Sequence, residues 1–456
     1  MYESGEIMMR SLWSGVAGLK THQIQMDVIG NNVANVNTTS YKAQKTTFGD
    51  LLYQNARKAA GPSNVRAGTN ARQVGLGAKT SSIMTNIAKQ GSIQQTDNVF
   101  DLSITGDSFF VVENQRGEMN YTRDGSFTVD AQGYLVTRAD GFYVRGTAAE
   151  GDDGGAVGGE LTAGVGNRLQ VLPIDDEGNI KKMAGQPTTY ARVTGNISRT
   201  DTLLSADGGR KVDLEFYGAD GKTYTVRMAF SDAGDDNDTT YQASITGIMD
   251  ENHQFIEGGV AAGTVVNLTY DPSTGKFTGA NGAANGQVQL AFTGDAAAAG
   301  SITLDYSGTT NYAPLNGMSS SSLATYRGTI EGEGEGYPEG DMNGVAIARD
   351  GTITRLYSNG QNRVAGRIAV AEFANVTGLS KEGENLYQVT GNSGPAQVMW
   401  VTDDGGYMTS GTLEMSNVDL SNEFTDMIIT QRGFQANSRV ITVSDTLLDE
   451  LRQLKR

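Results

Sequence analysis

The C-terminal segment LSNEFTDMIITQRGFQANSRVITVSDTLLDELRQL, residues 420–454, decides the fold because its pattern predicts one long helix. Nine positions recur along it at alternating steps of four and three residues, which is the spacing of a coiled-coil seam. The apolar positions are Leu420, Phe424, Met427, Phe434, Ile441 and Leu448, and the polar ones are Gln431, Ser438 and Asp445. Asp419 or Ser421 can cap the start of this helix, with Glu423 in its first turn.

The N-terminal segment repeats this spacing from Ser11 to Val36, a stretch that contains no Pro. Its apolar seam positions are Leu12, Val16, Leu19, Met26 and Val33, with Gln23 and Gly30 completing the row. A long helix with so narrow a seam is not stable alone in water. We therefore expect each seam to be buried against the other terminal helix, either of the same chain or of a neighbouring one.

Between the two helices the pattern changes to β structure. Gly117, Gly125, Gly133 and Gly141 stand eight residues apart with short apolar runs between them, which predicts a β-meander. A second region, 210–230, alternates on both sides of an Asp-Gly turn and predicts a hairpin. Further strands are predicted at 265–270, 288–292 and 302–306, and a third β region at 344–373.

Small-residue stretches at 148–166, 319–322 and 332–340 mark the ends of a central insertion. The sequence thus predicts a multi-domain α+β fold, with terminal helices pairing as a coiled-coil-like inner domain and two mainly antiparallel β domains nested by insertion. The predicted parts are an inner helical domain (1–45 and 412–456), an extended or β linking segment (46–90), a discontinuous middle β domain (91–166 and 326–411) and an outer β domain (167–325).

Composition excludes several classes of function. The 456 residues include no Cys and only two His, which removes disulfide frameworks, Cys-ligated metals and most Ser-His-Asp arrangements. The net charge is -17, which argues against nucleic acid as a partner, and no apolar run is long enough to insert into a membrane. Residues 1–90 nevertheless carry +6, so this segment is either an ordinary solvated surface or a contact for acidic surfaces of neighbouring molecules.

None of the motifs that could indicate a catalytic or ligand-binding site matches its pattern closely enough to support one. The stretch GLGAKT at 75–80 lacks the glycine spacing of a phosphate loop, and the acidic cluster around 232–238 lacks the spacing of a calcium loop. Asp97, Asp101 and Asp107 could be drawn as glycosidase carboxylates, but nothing fixes their separation. We therefore predict no catalytic, cofactor-binding or metal-ligating residue, no cofactor, and a chain that is not an enzyme.

Four stretches resemble the bacterial flagellar rod–hook axial family: 31–44, 101–146, 411–454 and, more weakly, 367–388. The motif NNVANVNTTSYKAQ follows the first helix, and SNVDL with QRGFQAN marks the second. One departure is Ser40, where the family pattern has a Gly that adopts positive φ more readily. The motif positions are Asn31, Asn32, Ala34, Asn35, Asn37, Thr38, Tyr41, Lys42, Ser416, Asn417, Val418, Asp419, Gln431, Arg432 and Asn437.

The resemblance implies a structural subunit that polymerises in many copies into a curved helical tube, a flexible joint that transmits motor torque. The large insertion favours a hook subunit, and a distal rod subunit is the alternative. By resemblance, the partners are the distal rod, the hook cap, the hook–filament junction proteins and the flagellar type III export apparatus. We expect an extracellular location in the flagellum, reached without a cleaved signal peptide.

Two readings from other classes compete with this one. A secreted Gly/Asp-rich adhesin would need recurring Gly-Asp motifs, which the sequence lacks. The other reading is an enzyme, such as a glycosidase, that uses loop carboxylates. Electron microscopy of concentrated protein separates the two: an enzyme would give dispersed globular particles with hydrolytic activity, whereas an axial protein would form long tubes.

Overall fold

Two long helices stand at the ends of the chain, α1 (Tyr2–Ala34) and α2 (Leu420–Gln453). The computed structural model describes residues 2–59, 61–62, 67–149, 166–175, 177–234, 239–257, 264–312 and 320–453. The first helix begins nine residues before the predicted start at Ser11 and ends two residues before Val36. Asp419 caps the second helix, since its Oδ1 accepts hydrogen bonds from the N–H groups of Ser421 (3.0 Å) and Asn422 (3.3 Å).

Among the described residues between the helices, the regular structure is β, apart from two short 3-10 turns at Gly294–Ala299 and Val376–Gly378. The strands are β1 (Gln44–Asp50), β2 (Tyr53–Arg57), β3 (Arg72–Gly75), β4 (Ala78–Thr85), β5 (Ile93–Gln95), β6 (Leu102–Thr105), β7 (Phe109–Glu113), β8 (Met119–Thr122), β9 (Phe127–Val129), β10 (Leu135–Thr137), β11 (Tyr143–Ala148), β12 (Asn167–Arg168), β13 (Tyr190–Asn196), β14 (Arg210–Tyr217), β15 (Thr223–Asp232), β16 (Thr240–Met249), β17 (Val265–Tyr270), β18 (Phe277–Ala280), β19 (Gln287–Ala291), β20 (Ser301–Thr310), β21 (Ala324–Arg327), β22 (Met342–Ile347), β23 (Thr352–Tyr357), β24 (Asn362–Ile368), β25 (Val370–Glu372), β26 (Ser380–Gly383), β27 (Leu386–Gln388), β28 (Gln397–Met399), β29 (Tyr407–Ser410) and β30 (Thr412–Glu414).

The described chain divides into two compact units. The first unit comprises Met1–Gly178, Val345–Arg355 and Arg363–Arg456, and the second comprises Asn179–Gly344 with Leu356–Asn362. The finer division into four parts stays a prediction, and most of the predicted linker at 148–166 lies outside the described residues.

In the first unit, the predicted meander is wrong at one turn. Gly117, Gly133 and Gly141 adopt positive φ at the turns of β7–β8, β9–β10 and β10–β11, which pair antiparallel. At Gly125 the chain does not turn back, because β8 pairs with β27 and β9 with β10. Any Cβ on Gly125 would collide with the Leu102 carbonyl oxygen, so this glycine permits a close backbone crossing.

The second unit is built from two sheets that share one core. Strands β14 to β18 form an antiparallel meander, and the other sheet has the order β19-β20-β13-β21. The predicted hairpin is confirmed: Leu214 pairs with Val226 and Phe216 with Tyr224 across β14 and β15. These four side chains are buried, with residues of β13 and β20, in one apolar cluster. Alternating burial therefore fixed the register as expected.

The predicted α+β fold class, with terminal helices and mainly antiparallel sheets, is confirmed. Strands β13 and β20 depart from the antiparallel rule, since they run parallel. Among the described residues, no helix is long and apolar enough to cross a membrane.

Candidate functional site

The two terminal helices pack against each other in antiparallel order. Ser11 Oγ lies 3.3 Å from Ser444 Oγ near one end of the pair. Near the other end, Asn32 Nδ2 donates to Glu423 Oε1 at 3.0 Å. Residue numbers therefore increase along α1 in the direction in which they decrease along α2.

Small residues bring the two helix backbones close together. A Cβ on Gly15 would lie 3.5 Å from the Asn437 carbonyl oxygen, and one on Gly18 would lie 2.6 Å from Asn437 Nδ2. On the other helix, a Cβ on Gly433 would lie 2.7 Å from His22 Nε2. The pairing face is thus made largely of glycine and polar side chains, and larger residues at these glycines would push the helices apart.

The pairing faces stand one position before the predicted seams. On α1 the contacts involve Ser11, Gly15, Gly18, His22 and Asn32, whereas the predicted row is 12, 16, 19, 23 and 33. On α2 the corresponding contacts are Glu423, Gly433, Asn437 and Ser444, against predicted positions 424, 434, 438 and 445. A shift of one residue rotates a helix face by about 100°.

The predicted seam residues therefore lie beside the pairing face. Five of them are exposed: Val16, Leu420, Phe424, Phe434 and Leu448. The others are half-buried: Leu12, Leu19, Met26, Val33, Met427 and Ile441. Of these, Ile441 also reaches the pairing face, since its Cγ1 would lie 3.3 Å from a Cβ on Gly15.

A second apolar row flanks the pairing face of α2 on its other side. Ile429, Val440, Val443 and Leu447 are all exposed there, and Ile429 is 62% exposed. Two exposed apolar rows on one helix are unusual for a surface that faces only water. They mark α2 as the candidate contact surface of this chain.

A buried cluster of charged side chains joins the segment that follows α1 to the segment that precedes α2. The Lys42 side chain is fully buried, and its ammonium lies 2.7 Å from Glu414 Oε1. Lys42 Nζ also donates to the Lys89 carbonyl at 2.9 Å, and the Gly91 N–H donates to Glu414 Oε1 at 2.8 Å. Burial lowers the pKa of Lys42, although the adjacent Glu414 carboxylate opposes that shift.

Arg123 completes the cluster from the β structure. Its Nε lies 3.5 Å from Glu414 Oε2, and its Nη1 donates to the carbonyls of Gly106 and Ser108. Burial lowers the pKa of Arg123, and the carboxylate of Glu414 opposes this. The charged side chains of Lys42, Arg123 and Glu414, which are far apart in the sequence, thus meet in a space from which water is excluded.

Asn32 ties the end of α1 to the start of β1. Its Oδ1 accepts from the Gln44 N–H at 2.9 Å and from the Tyr41 hydroxyl at 3.2 Å, and its Nδ2 donates to the Gln44 carbonyl at 2.8 Å. Burial, with the nearby Glu423, raises the pKa of Tyr41. Since Asn32 is 1% exposed, each of these hydrogen bonds replaces water that cannot reach the site.

Asn417 makes the matching connection before α2. Its Oδ1 accepts from the Ala43 N–H at 2.8 Å, and its Nδ2 donates to the carbonyls of Asn86 and Lys89 at 2.9 and 2.8 Å. The Asn417 N–H reaches the Tyr41 carbonyl at 3.2 Å. Together with the contacts of Asn32, Lys42 and Arg123, these contacts form what we call the junction, which comprises residues 40–44 and 414–417 with Asn32 and Arg123.

Ser40 holds a left-handed backbone conformation at this junction, with φ of 54°. Its N–H donates to the Glu414 carbonyl at 2.8 Å, and its hydroxyl donates to the Arg123 carbonyl at 2.9 Å. Ser40 therefore makes a turn in a backbone conformation that Gly adopts more readily.

The remaining motif residues lie at the end of α1 and in the turn that follows it, in the segment before α2, or on the surface of α2. Asn35 Nδ2 donates to the Asn31 carbonyl at 2.9 Å, and Thr38 Oγ1 donates to Asn35 Oδ1 at 3.1 Å. Ser416 Oγ accepts from the Val418 N–H at 3.3 Å. The exposed motif residues are Asn31, Ala34, Asn37, Asp419, Gln431 and Arg432.

Glu414 and Arg123 were missed by sequence reasoning. Lys42 and Glu414 stand 372 positions apart, and isolated charges in a sequence ordinarily indicate surface. No short-range pattern could have paired them.

In the described ranges, no group of three or more His, Asp or Glu lies close enough to hold a metal ion. A polar cleft of about 430 Å³ beside Gln25, Asn417 and Asp426 lies along the helix pair. The arrangement is suited to holding chain segments together and to contacting other proteins.

Comparison with known proteins identifies the family of this arrangement. The model "Flagella basal body rod protein" matches residues 12–42, "Flagellar hook protein FlgE/F/G D1 domain" matches 103–185, and "Flagellar basal body rod FlgEFG protein C-terminal" matches 409–454. The flagellar hook protein FlgE of Treponema pallidum is 36% identical over 98% of this chain and 100% of its own length. The chain belongs to the flagellar hook protein FlgE family.

Other FlgE relatives extend this likeness. The FlgE of Borreliella burgdorferi is 35% identical, with 98% of this chain and 100% of the relative covered. The solved structure of Helicobacter pylori flagellar hook protein FlgE2 covers 71% of this chain and 100% of its own, at 15% identity and a TM-score of 0.45, too low to support any conclusion. Because FlgE relatives align across the central insertion, membership in the hook protein family is favoured over the rod alternative.

Proposed function

We propose that this chain is the structural subunit of a flagellar hook, which polymerises in many copies into a curved helical tube. The observation that carries this proposal is the match to FlgE proteins along nearly the whole chain. The tube would act as a flexible joint between the rod and the filament. On this proposal the chain works by assembly, without catalysis or cofactors.

The exposed apolar rows of α2 support polymerisation. Phe424 and Phe434 are large apolar side chains that the single chain leaves 50% and 37% exposed. Moving a fully exposed side chain of this kind out of water contributes roughly 1.5–3 kcal/mol, and covering the part of each that is still exposed contributes a corresponding fraction. We therefore propose that the predicted seam residues pack between subunits, beside the small-residue face that pairs the two helices of one chain.

The junction supports this role by holding both helices on the β structure. Asn32, Lys42 and Asn417 each bond to backbone or side-chain groups far away in sequence. A torque-bearing subunit needs its contact helices fixed to its body, and buried polar networks provide such fixed geometry. We propose this positioning role for the family motif residues.

The proposed location and partners of this chain are those that the family resemblance implies. We propose an extracellular location in the hook, reached by flagellar type III export without a cleaved signal peptide. The proposed partners are copies of the same chain, the distal rod, the hook cap and the hook–filament junction proteins. The inner helical, middle β and outer β domains would form the inner, middle and outer layers of the tube wall.

Electron microscopy of the purified chain at rising concentration tests the proposal. Curved tubes that sediment together with the protein are the expected result. Straight tubes would favour the distal rod alternative. Dispersed particles at every concentration would contradict the axial assignment.

A further inference from the structure

The stretch 367–388 contains the hairpin formed by β26 and β27, which reaches the turn that follows α1. At the tip of the hairpin, Asn385 Nδ2 donates to the Thr39 carbonyl at 2.7 Å, across 346 positions of sequence. Asn385 is 7% exposed, and its own carbonyl accepts from Thr122 Oγ1 at 3.1 Å. One residue of the hairpin therefore links β8 of the sheet to the turn between α1 and β1.

The turn at the tip of the hairpin does not by itself require this amide. Glu384 and Asn385 hold φ of 45° and 59°, as the two central residues of a type I′ turn do. Glycine adopts this conformation at least as readily as Asn. An Asn at this position thus adds a hydrogen-bond donor, and the donor is used on the segment that leaves α1.

A second contact runs from the same hairpin to the same segment. Lys381 Nζ lies 4.3 Å from the centroid of the Tyr41 ring, and Tyr41 is 3% exposed. Burial lowers the pKa of Lys381. The Tyr41 hydroxyl donates to Asn32 Oδ1 near the end of α1, so Lys381 covers a ring that is already bonded to the helix.

The base of the hairpin is fixed in the β structure. Strand β27 pairs with β8, and Tyr387 is 1% exposed in an apolar cluster that includes Phe109 and Phe373. The rings of Tyr387 and Phe109 meet edge-on, with their centroids 5.7 Å apart. Since its base is packed in the core and its contacts reach the turn, the hairpin holds the turn in one position relative to the sheet.

We propose that the β26–β27 hairpin is a clamp that fixes the direction in which α1 leaves the β structure, with Asn385 and Lys381 as its positioning residues. In a curved tube that rotates, bending requires motion either between copies or within each copy. A clamp at the end of α1 suppresses motion within the copy, so the tube bends mainly between copies. This inference rests on the proposed function for its effect on the tube, whereas the clamp itself is a property of the single chain.

Hydrogen exchange in the full-length monomer tests the clamp. The double variant carries Asn385→Gly, which keeps the left-handed turn without the amide, and Lys381→Met, which keeps a long side chain without the charge. We expect the amides of Thr38, Ser40 and Tyr41, which donate to backbone carbonyls, to exchange about fivefold faster or more. The amides of β7 should exchange as before, and Lys381→Arg alone should behave like the unmodified chain.

The matched control is Asn281→Gly in the second unit. Asn281 also holds a left-handed conformation, with φ of 51°, and its side chain also makes a hydrogen bond, accepting from the Asn267 N–H at 2.8 Å. The control therefore makes the same substitution, with the same kind of loss, outside the hairpin. Exchange of the amides in the turn after α1 should be unchanged.

Electron micrographs of the polymers test the role in bending. Tubes of the double variant should form at the same protein concentration as tubes of the unmodified chain. Their persistence length should be about twofold shorter, because motion within each copy is released. Tubes of Asn281→Gly should keep the persistence length of the unmodified chain.

Unchanged exchange in the double variant overturns the clamp, whether or not tubes form. Faster exchange with tubes of unchanged persistence length overturns the positioning role in bending and leaves the hook proposal intact. If the unmodified chain forms no tubes under any condition, the proposed function fails, and the exchange result still decides for or against the clamp.

Discussion

The terminal helix pair of the first unit and the core of the second unit bury opposite kinds of residues. Within the second unit, alternating apolar residues such as Leu214 and Phe216 lie in a shared apolar core. Within the helix pair, glycine and polar residues such as Gly18 and Asn437 face each other, and apolar residues lie on the flanks.

This difference indicates where each region finds its partner. An apolar pattern that is buried within the chain has served its purpose in folding. An apolar pattern that remains exposed in the folded chain is available for assembly. On the proposed function, the same sequence signal reports on folding in the second unit and on assembly in α2.

The largest effect on stability is expected from Glu414→Ala, which would test whether the junction holds the helix pair. Removing this carboxylate leaves Lys42 and Arg123 buried without their counter-ion, at a cost of about 3–5 kcal/mol. Urea unfolding of the monomer, followed by hydrogen exchange at the junction, measures this loss. Glu382→Ala, at an exposed position, is the control and should change little. An equal response of the two variants would show that the cluster does not hold the junction.

Leu214→Ala tests the second region of the comparison, the apolar core of the second unit. Leu214 is 1% exposed in the core of the second unit, so its truncation should cost about 2–5 kcal/mol. The unfolding transition of that unit should shift, whereas tube formation at a temperature where the protein is folded should persist. Loss of tubes from this folded variant would mean that the second unit carries essential assembly contacts.

The sequence predicted the second unit better than the helix pair for a physical reason. Alternation at Val212, Leu214 and Phe216 is a direct record of burial in a sheet, so their register could be inferred. Glycines such as Gly15 and Gly18 leave no hydrophobic signal, although they determine how closely helices approach. The spacing of apolar residues thus located the row of α2 beside the pairing face, which Ile441 also reaches, and did not locate the glycines of that face.

The junction was only partly predictable. Its motif residues Asn32, Lys42 and Asn417 were singled out by family resemblance, and their hydrogen bonds required the fold. Glu414 and Arg123 could not be found, because contacts between residues hundreds of positions apart depend on the complete topology.

Ser40 provides a smaller test at the junction through a matched pair of variants. Ser40→Ala and Ser40→Gly both remove the hydroxyl that donates to the Arg123 carbonyl, but only Gly relieves the strain of a φ of 54°. The Gly variant should therefore be more stable than the Ala variant by about 1–2 kcal/mol in monomer unfolding. Equal stabilities would indicate that the backbone at this position is not held in the left-handed region.

The smallest effect concerns pH. Burial and the adjacent Glu384 raise the pKa of Asp140 to about 6. Between about pH 4 and 6 the folded chain therefore holds a proton that the unfolded chain has released. The stability from this group is complete below about pH 4 and is lost as the pH rises through 6.

Asp140→Asn should remove that part of the pH dependence, which unfolding at a series of pH values would show. Asp449→Asn, at an exposed position of α2, should retain it. An unchanged profile in Asp140→Asn would assign the dependence to other groups.

The central claim is that the exposed row of α2 serves assembly and not folding. Phe434→Asp tests it most directly, because Phe434 is 37% exposed in the single chain and lies on the seam row. Burying an unpaired charge between subunits costs several kcal/mol, whereas the same charge is hydrated in the monomer. Thermal unfolding and sedimentation of this one variant measure both properties. The expected result is a monomer that melts like the unmodified protein and forms no tubes at any concentration. Normal tubes, or a monomer that is already unfolded, would contradict the claim.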